Sequence, residues 1–281
     1  MSLRNISVRT ILLFALVTLA LPMFASHSWS SYHWARMSNP LPLKVVDSVT
    51  SDWQFAFDQT LVEWNKSSKL NVTVASLDDG SRTRKRCQSV SGQMRVCNAA
   101  YGQNGWLGLA SINIDSSGHI TQGTAKVNDS YDWYFAATPG EDNHVMCQEV
   151  GHVWGLGHTS EDGSSQGTCM DYSTSLQSQW PNQHDYAQLD TIYSHTDSYN
   201  SYDTGGSSGG GCNAPPGKGC NKAGAPDNAP DGVPPQALRI HYRAGHDGHL
   251  GHADYIMPDG DGGWWMFHLT LIPEDARPNG R

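Results

Sequence analysis

Apolar positions recur with clear periods along the first two thirds of the chain. Trp53, Phe57, Leu61 and Trp64 fall at helical spacing behind Ser51 or Asp52, either of which offers an N-cap. A second helix is predicted over roughly 142–154, stopped by Gly155. A third runs from about 181 to 195, with Pro181 in its first turn and Tyr186, Leu189, Ile192 and Tyr193 on one face. Strand-like segments lie between the helices. Residues 43–46 are a short apolar run, and 70–75 alternate with β-branched side chains. Residues 106–113 and 119–128 read as two strands around Ser116-Ser117-Gly118. Interleaved strands and helices predict an α/β fold. The basic run 82–86 is expected in an exposed loop or hairpin.

The periodicity stops near residue 200. A Gly/Ser/Pro-rich linker is expected over 201–232, closing a folded unit of residues 26–200. Beyond it, 237–242 and 264–272 are short β-like runs. Residues 233–281 are therefore expected to form a small C-terminal β appendage, too small to bury much core alone.

Arg4 and Arg9 precede an apolar run over 11–25, which predicts a signal peptide over 1–25. The run is shorter than the roughly 20 residues of a membrane-spanning helix. A secreted, extracellular or periplasmic protein follows, with no stable membrane insertion after cleavage. Ten Trp and 11 Tyr in 281 residues are too many for a disordered chain. The net charge of −9 argues against nucleic acid as a partner. A monomer is expected. Six cysteines in an exported chain suggest three disulfides. Fifteen connectivities are open, and spacing favours Cys87–Cys97, Cys147–Cys169 and Cys212–Cys220.

The chemistry concentrates in residues 147–158, CQEVGHVWGLGH. On a helix Gln148 and His152 are four residues apart and project on one face. Glu149 lies one step round. After a turn at Gly155, His158 approaches the same point. Imidazoles converging beside a carboxylate are what a catalytic zinc site requires. Gln148, His152 and His158 are the candidate metal ligands, Zn2+ the candidate cofactor and Glu149 the candidate proton carrier.

This segment resembles the metzincin zinc-peptidase signature H-E-x-x-H-x-x-G-x-x-H at Glu149, His152, Gly155 and His158, with Gln148 in place of the first histidine. Cys169-Met170-Asp171-Tyr172 resembles the Met-turn of the same family. The resemblance implies a zincin-like twisted mixed sheet, mostly parallel with an antiparallel edge strand, and three main helices. It implies a zinc metalloendopeptidase with Met170 beneath the metal and Tyr172 on the zinc or the oxyanion. Residues 107–110 and 118–120 are similar to the strands above a matrixin cleft, so an extended peptide is expected along 108–113. An amide oxygen is a weaker zinc donor than imidazole, so weaker metal binding is expected at Gln148. His144 is too far along the helix to replace it. Two other functions compete with a peptidase: a catalytically impaired, metzincin-like peptide-binding protein, and a disulfide-stabilised surface interaction protein working through its C-terminal segment. His246, His249 and His252 are expected in an exposed polar loop, and 259–263 in a simple turn.

Overall fold

In the computed structural model, which describes residues 27–202 and 232–277, one mixed sheet runs through both segments. Its strands are β1 (His33–Trp34), β2 (Lys44–Ser48), β3 (Thr73–Leu77), β4 (Met94–Ala99), β5 (Trp106–Ile114), β6 (His119–Asn128), β7 (Leu238–Arg243), β8 (Gly251–Pro258) and β9 (Trp264–Leu271). The order is β3-β2-β4-β6-β5-β9-β8-β7, with β1 alongside β6. The first four strands of that order are mutually parallel, whereas β5, β9, β8 and β7 join antiparallel. The helices are α1 (Ser51–Trp64), α2 (Ser81–Arg86), α3 (Asp132–Ala137), α4 (Glu141–Val153) and α5 (Gln183–Ile192). Among the described residues no helix is long and apolar enough to cross a membrane. The signal segment, most of the linker and Cys212–Cys220 lie outside the described residues.

The three expected helices are present, with ends that depend on capping. In α1 the helical-period residues Trp53, Phe57, Leu61 and Trp64 are all buried. Thr50, rather than Ser51 or Asp52, occupies its N-cap position. At α5 the start moves past Pro181 because Asn182 and Asp185 form a reciprocal capping box. The basic run 82–86 is helical, not a loop or hairpin. Arg84 reaches the carbonyls of Asp79 and Asn98, and the Cys87–Cys97 disulfide ties the helix end to β4.

The segment after the linker is not a separate appendage. Strand β9 pairs with β5 from Trp106↔Leu271 to Ile114↔Trp264, so the C-terminal strands continue the main sheet. A three-stranded piece lacks enough apolar surface to stand alone. Here it gains a hydrogen-bonded neighbour and a second core, in which Trp106 and Leu109 pack with Tyr255, Phe267 and Leu269. The opposite face of β5 carries Ala110 and Ile112, in the main core with Val145 and Val150 of α4. All nine residues of β5 are buried, as a strand covered on both faces and both edges must be.

Candidate metal centre

Helix α4 runs through the middle of the main core, and its residues from His144 to Val153 are all buried. Close approach explains its glycines. A Cβ at Gly151 would lie 2.5 Å from Met170 Sδ, so the segment 169–172 sits directly against the helix. Gly155 has φ +92° and would meet the Tyr32 carbonyl oxygen at 2.1 Å, which leaves room for no side chain. The turn at Gly155 brings His158 back beside His152, with ring centroids 4.6 Å apart. The Cys147–Cys169 disulfide fastens α4 to the segment that carries Met170.

A third imidazole completes the group, and it comes from β9. His268 lies 4.1 Å from His152 and 4.7 Å from His158, centroid to centroid. One ligand atom from each of the three lies within 4.8 Å of the others, a set that could hold a metal ion. The hydrogen bonds define which atoms these are. His152 Nδ1 meets the Leu156 carbonyl at 2.9 Å, and a carbonyl only accepts, so that nitrogen carries the proton. His268 Nδ1 meets Asp254 at 2.8 Å, and His158 Nδ1 meets the Tyr172 hydroxyl at 2.6 Å. The Nε2 atoms of all three are buried without a hydrogen-bond partner. Histidine held through one nitrogen by a carbonyl, a hydroxyl and a carboxylate is the usual support of a metal ligand. Burial keeps the three rings neutral: it pushes His152 and His158 well below the ordinary range and holds His268 at about 3. Trp29 stacks on His152 at 4.7 Å and covers one side of the group. Three imidazoles with one position left over fit a divalent transition metal of the catalytic type.

Gln148 takes a different part from the one expected. Its Nε2 donates to the Asp171 carbonyl at 2.8 Å, and its Oε1 accepts from Thr270 Oγ1 at 2.6 Å. Both ends of the amide are thus engaged, while His268 provides the third imidazole. His144 is also held away, on the Asp171 carbonyl and Glu141. Tyr172 is fully buried, and its hydroxyl is used by His158. Met170 is fully buried, with its sulfur against Gly151 of α4.

Glu149 is fully buried, with Oε1 2.5 Å from Thr270 Oγ1 and Oε2 unpartnered. Burial pushes its carboxyl well above the usual range. Its side chain occupies the space a Cβ at Gly108 would need, at 2.3 Å from Oε1. A cleft of about 460 Å³, lined by Trp29, Gly157, His158, Glu161 and Asp254 among others, opens beside the histidines. The expected peptide site along 108–113 is not available, because Gly108 to Asn113 pair with β6 on one side and β9 on the other. No free edge remains there.

His268, Asp254 and Thr270 are the residues that sequence reasoning missed. One signal was present: His268 and Thr270 are polar residues two apart in the apolar run WWMFHLTL, hence on one face of a buried strand. Of the other histidines, His252 lies in β8, buried and stacked on Tyr172 at 4.6 Å, rather than in a loop. Residues 259–263 form a turn around the Asp259 carboxylate. No family model matches the chain, and no curated protein matches it.

Proposed function

We propose that the chain is a secreted zinc-dependent hydrolase of the metallopeptidase kind, with His152, His158 and His268 as the metal ligands and Glu149 as the proton carrier. The observation that carries this reading is the convergence of three buried, unpartnered Nε2 atoms on one point. When bound, zinc would supply a Lewis acid that acidifies water and polarises a carbonyl. The Glu149 carboxyl would be drawn back toward its charged form by a cation held by the three histidines. It takes a proton from the attacking water and hands it to the leaving amine. Asp254, Tyr172 and the Leu156 carbonyl keep the rings in the ligating tautomer. Gln148 and the Asp171 carbonyl anchor the helix to the Met-turn. Substrate enters by the cleft beside Trp29 and His158, since β9 covers β5.

The deciding experiment compares wild type with Glu149→Gln on a denatured protein substrate, both loaded with zinc. Cleavage by wild type and not by the variant supports the reading. Equal cleavage by both removes Glu149 from the chemistry. A second reading, a peptide-binding protein without catalysis, is favoured by the contact of Thr270 with Glu149. It predicts no cleavage by zinc-loaded wild type, with retained peptide binding.

A further inference from the structure

A second cluster of histidines lies on the far side of β6 from the first, and no step above uses it. His33 of β1, His119 at the start of β6 and His195 beyond α5 all point Nε2 at one atom, Asp197 Oδ1. The distances are 3.5, 3.4 and 3.4 Å. The side chains of His33, His119 and Asp197 are nine-tenths buried or nearly so, whereas His195 is half exposed. The His33 ring lies edge-on to both other rings, with centroids 4.8 and 5.0 Å away.

The hydrogen bonds around the cluster create a mismatch inside it. His33 Nδ1 lies 2.7 Å from the Ser31 carbonyl oxygen, which only accepts, so that nitrogen bears the proton. His119 Nδ1 lies 2.7 Å from the Tyr199 oxygen, whose single proton is donated to Asp115 at 2.6 Å. His119 Nδ1 must therefore be the donor. Both neutral rings then present a lone pair at Nε2 toward a carboxylate oxygen, acceptor against acceptor. Asp197 Oδ2 is already satisfied by the Arg36 amide at 2.8 Å, so Oδ1 is aimed inward by the backbone. A cation resolves the mismatch. Protons alone would gather two or three positive rings around one carboxylate. A single metal ion needs no such crowding.

The spacing suits one metal in particular. Zinc bonds of about 2.0–2.1 Å at tetrahedral angles separate ligand atoms by roughly 3.3–3.4 Å. The three separations from Asp197 Oδ1 match that edge, and ligand atoms of His33, His119 and Asp197 all lie within 4.8 Å of one another. Nitrogen and oxygen donors from His and Asp also suit zinc. We propose that His33, His119 and Asp197 form a second zinc site, independent of the His152 cluster, which the half-exposed His195 completes by turning its Nε2 inward. With His195 as the fourth ligand no position stays open, which marks a structural site rather than a catalytic one. It ties together β1, β6 and the chain beyond α5. This clamp also supports the first site. Trp34, next to His33, donates to the Val153 carbonyl, and Tyr193 donates to the Trp154 carbonyl at the end of α4.

The test counts zinc in the full chain by mass spectrometry after equilibration with buffered zinc, with affinities from chelator competition. Two zinc ions per wild-type chain are expected, and one in Asp197→Asn. His195→Ala, at an exposed side chain, keeps the fold testable. It should weaken one of the two sites by at least the roughly 10–100-fold that loss of an outer partner costs. It should leave the other unchanged. Cobalt substitution should give tetrahedral absorption from this site in His268→Ala, where the first site is disabled. If wild type, Asp197→Asn and His195→Ala bind equal zinc with equal affinity, the proposal is overturned. If Asp197→Asn loses one ion while His268→Ala keeps both, the second site stands and the metal reading of the first fails.

Discussion

Thr270 on β9 places its hydroxyl 2.5 Å from Glu149 Oε1 and 2.6 Å from Gln148 Oε1. A hydroxyl has one proton and cannot donate to both acceptors. Both contacts are satisfied if Glu149 is protonated and donates to Thr270, which donates to Gln148. The raised affinity of the buried Glu149 for its proton agrees with that chain of donors. The C-terminal strand is thereby linked to the key carboxyl of α4.

Thr270→Val should therefore destabilise the protein beyond the small change in volume. It leaves two buried oxygens without their partner, at a cost of about 1–3 kcal/mol. Thr270→Ser should restore most of the loss. Denaturant titration of the three proteins checks this, and equal stability of the Val variant and wild type would sink it.

His268→Ala should weaken zinc binding far more than Gln148→Ala does, because His268 presents a free Nε2 and Gln148 presents none. Calorimetric titration of both variants makes the comparison. A larger loss in the Gln148 variant would return the third ligand position to the helix.

Gly108→Ala should be poorly tolerated. Its Cβ would lie 2.3 Å from Glu149 Oε1 and 2.7 Å from Val145, both held in a close-packed core. Overpacking of this kind costs about 1–3 kcal/mol, and under the proposed function the displaced Glu149 should lower turnover as well. Unchanged melting and turnover would show that Glu149 has room to move.

Acid should destabilise the chelator-treated protein. Burial holds His252 and His268 at about 3 and places His152 and His158 well below their ordinary value. The unfolded chain takes up those protons below about pH 6.5 while the fold does not. The associated stability is present above that pH and is lost as pH falls toward 3. Glu149 and Asp254, both raised by burial, act in the opposite sense, losing their contribution as pH rises above about 4. With the four imidazoles outweighing these carboxyls, the raised Asp129 and Asp132 and the raised His144, a net fall in melting temperature from pH 6.5 downward is expected. Zinc, which competes with protons for the same nitrogens, should move that fall to lower pH. A flat or rising melting temperature over this range would contradict the argument.

Much of the local structure was legible in the chain. The four apolar residues of α1 and the extent of β6 follow from period, spacing favoured the pairs Cys87–Cys97 and Cys147–Cys169, and all are present. Boundaries shifted where a side chain outweighed a propensity, as Asn182 and Asp185 did over Pro181. Strands β4 and β8 gave little signal: Met94–Ala99 alternates weakly, and β8 begins inside a histidine- and glycine-rich run.

The sequence by itself determined the neighbours of His152. Helical spacing and a glycine turn bring Glu149 and His158 to it, because those relations depend on chain geometry over a dozen residues. Only the tertiary structure decided the third imidazole and the fate of β5. Both depend on β9, about 110 residues beyond His158, pairing with β5 in one register. That register places His268 and Thr270 over α4 because side chains alternate between the two faces of a strand. A shift by one residue would turn both away. No local pattern encodes such a pairing, since it is selected by the apolar surface that β5 and the C-terminal strands bury together.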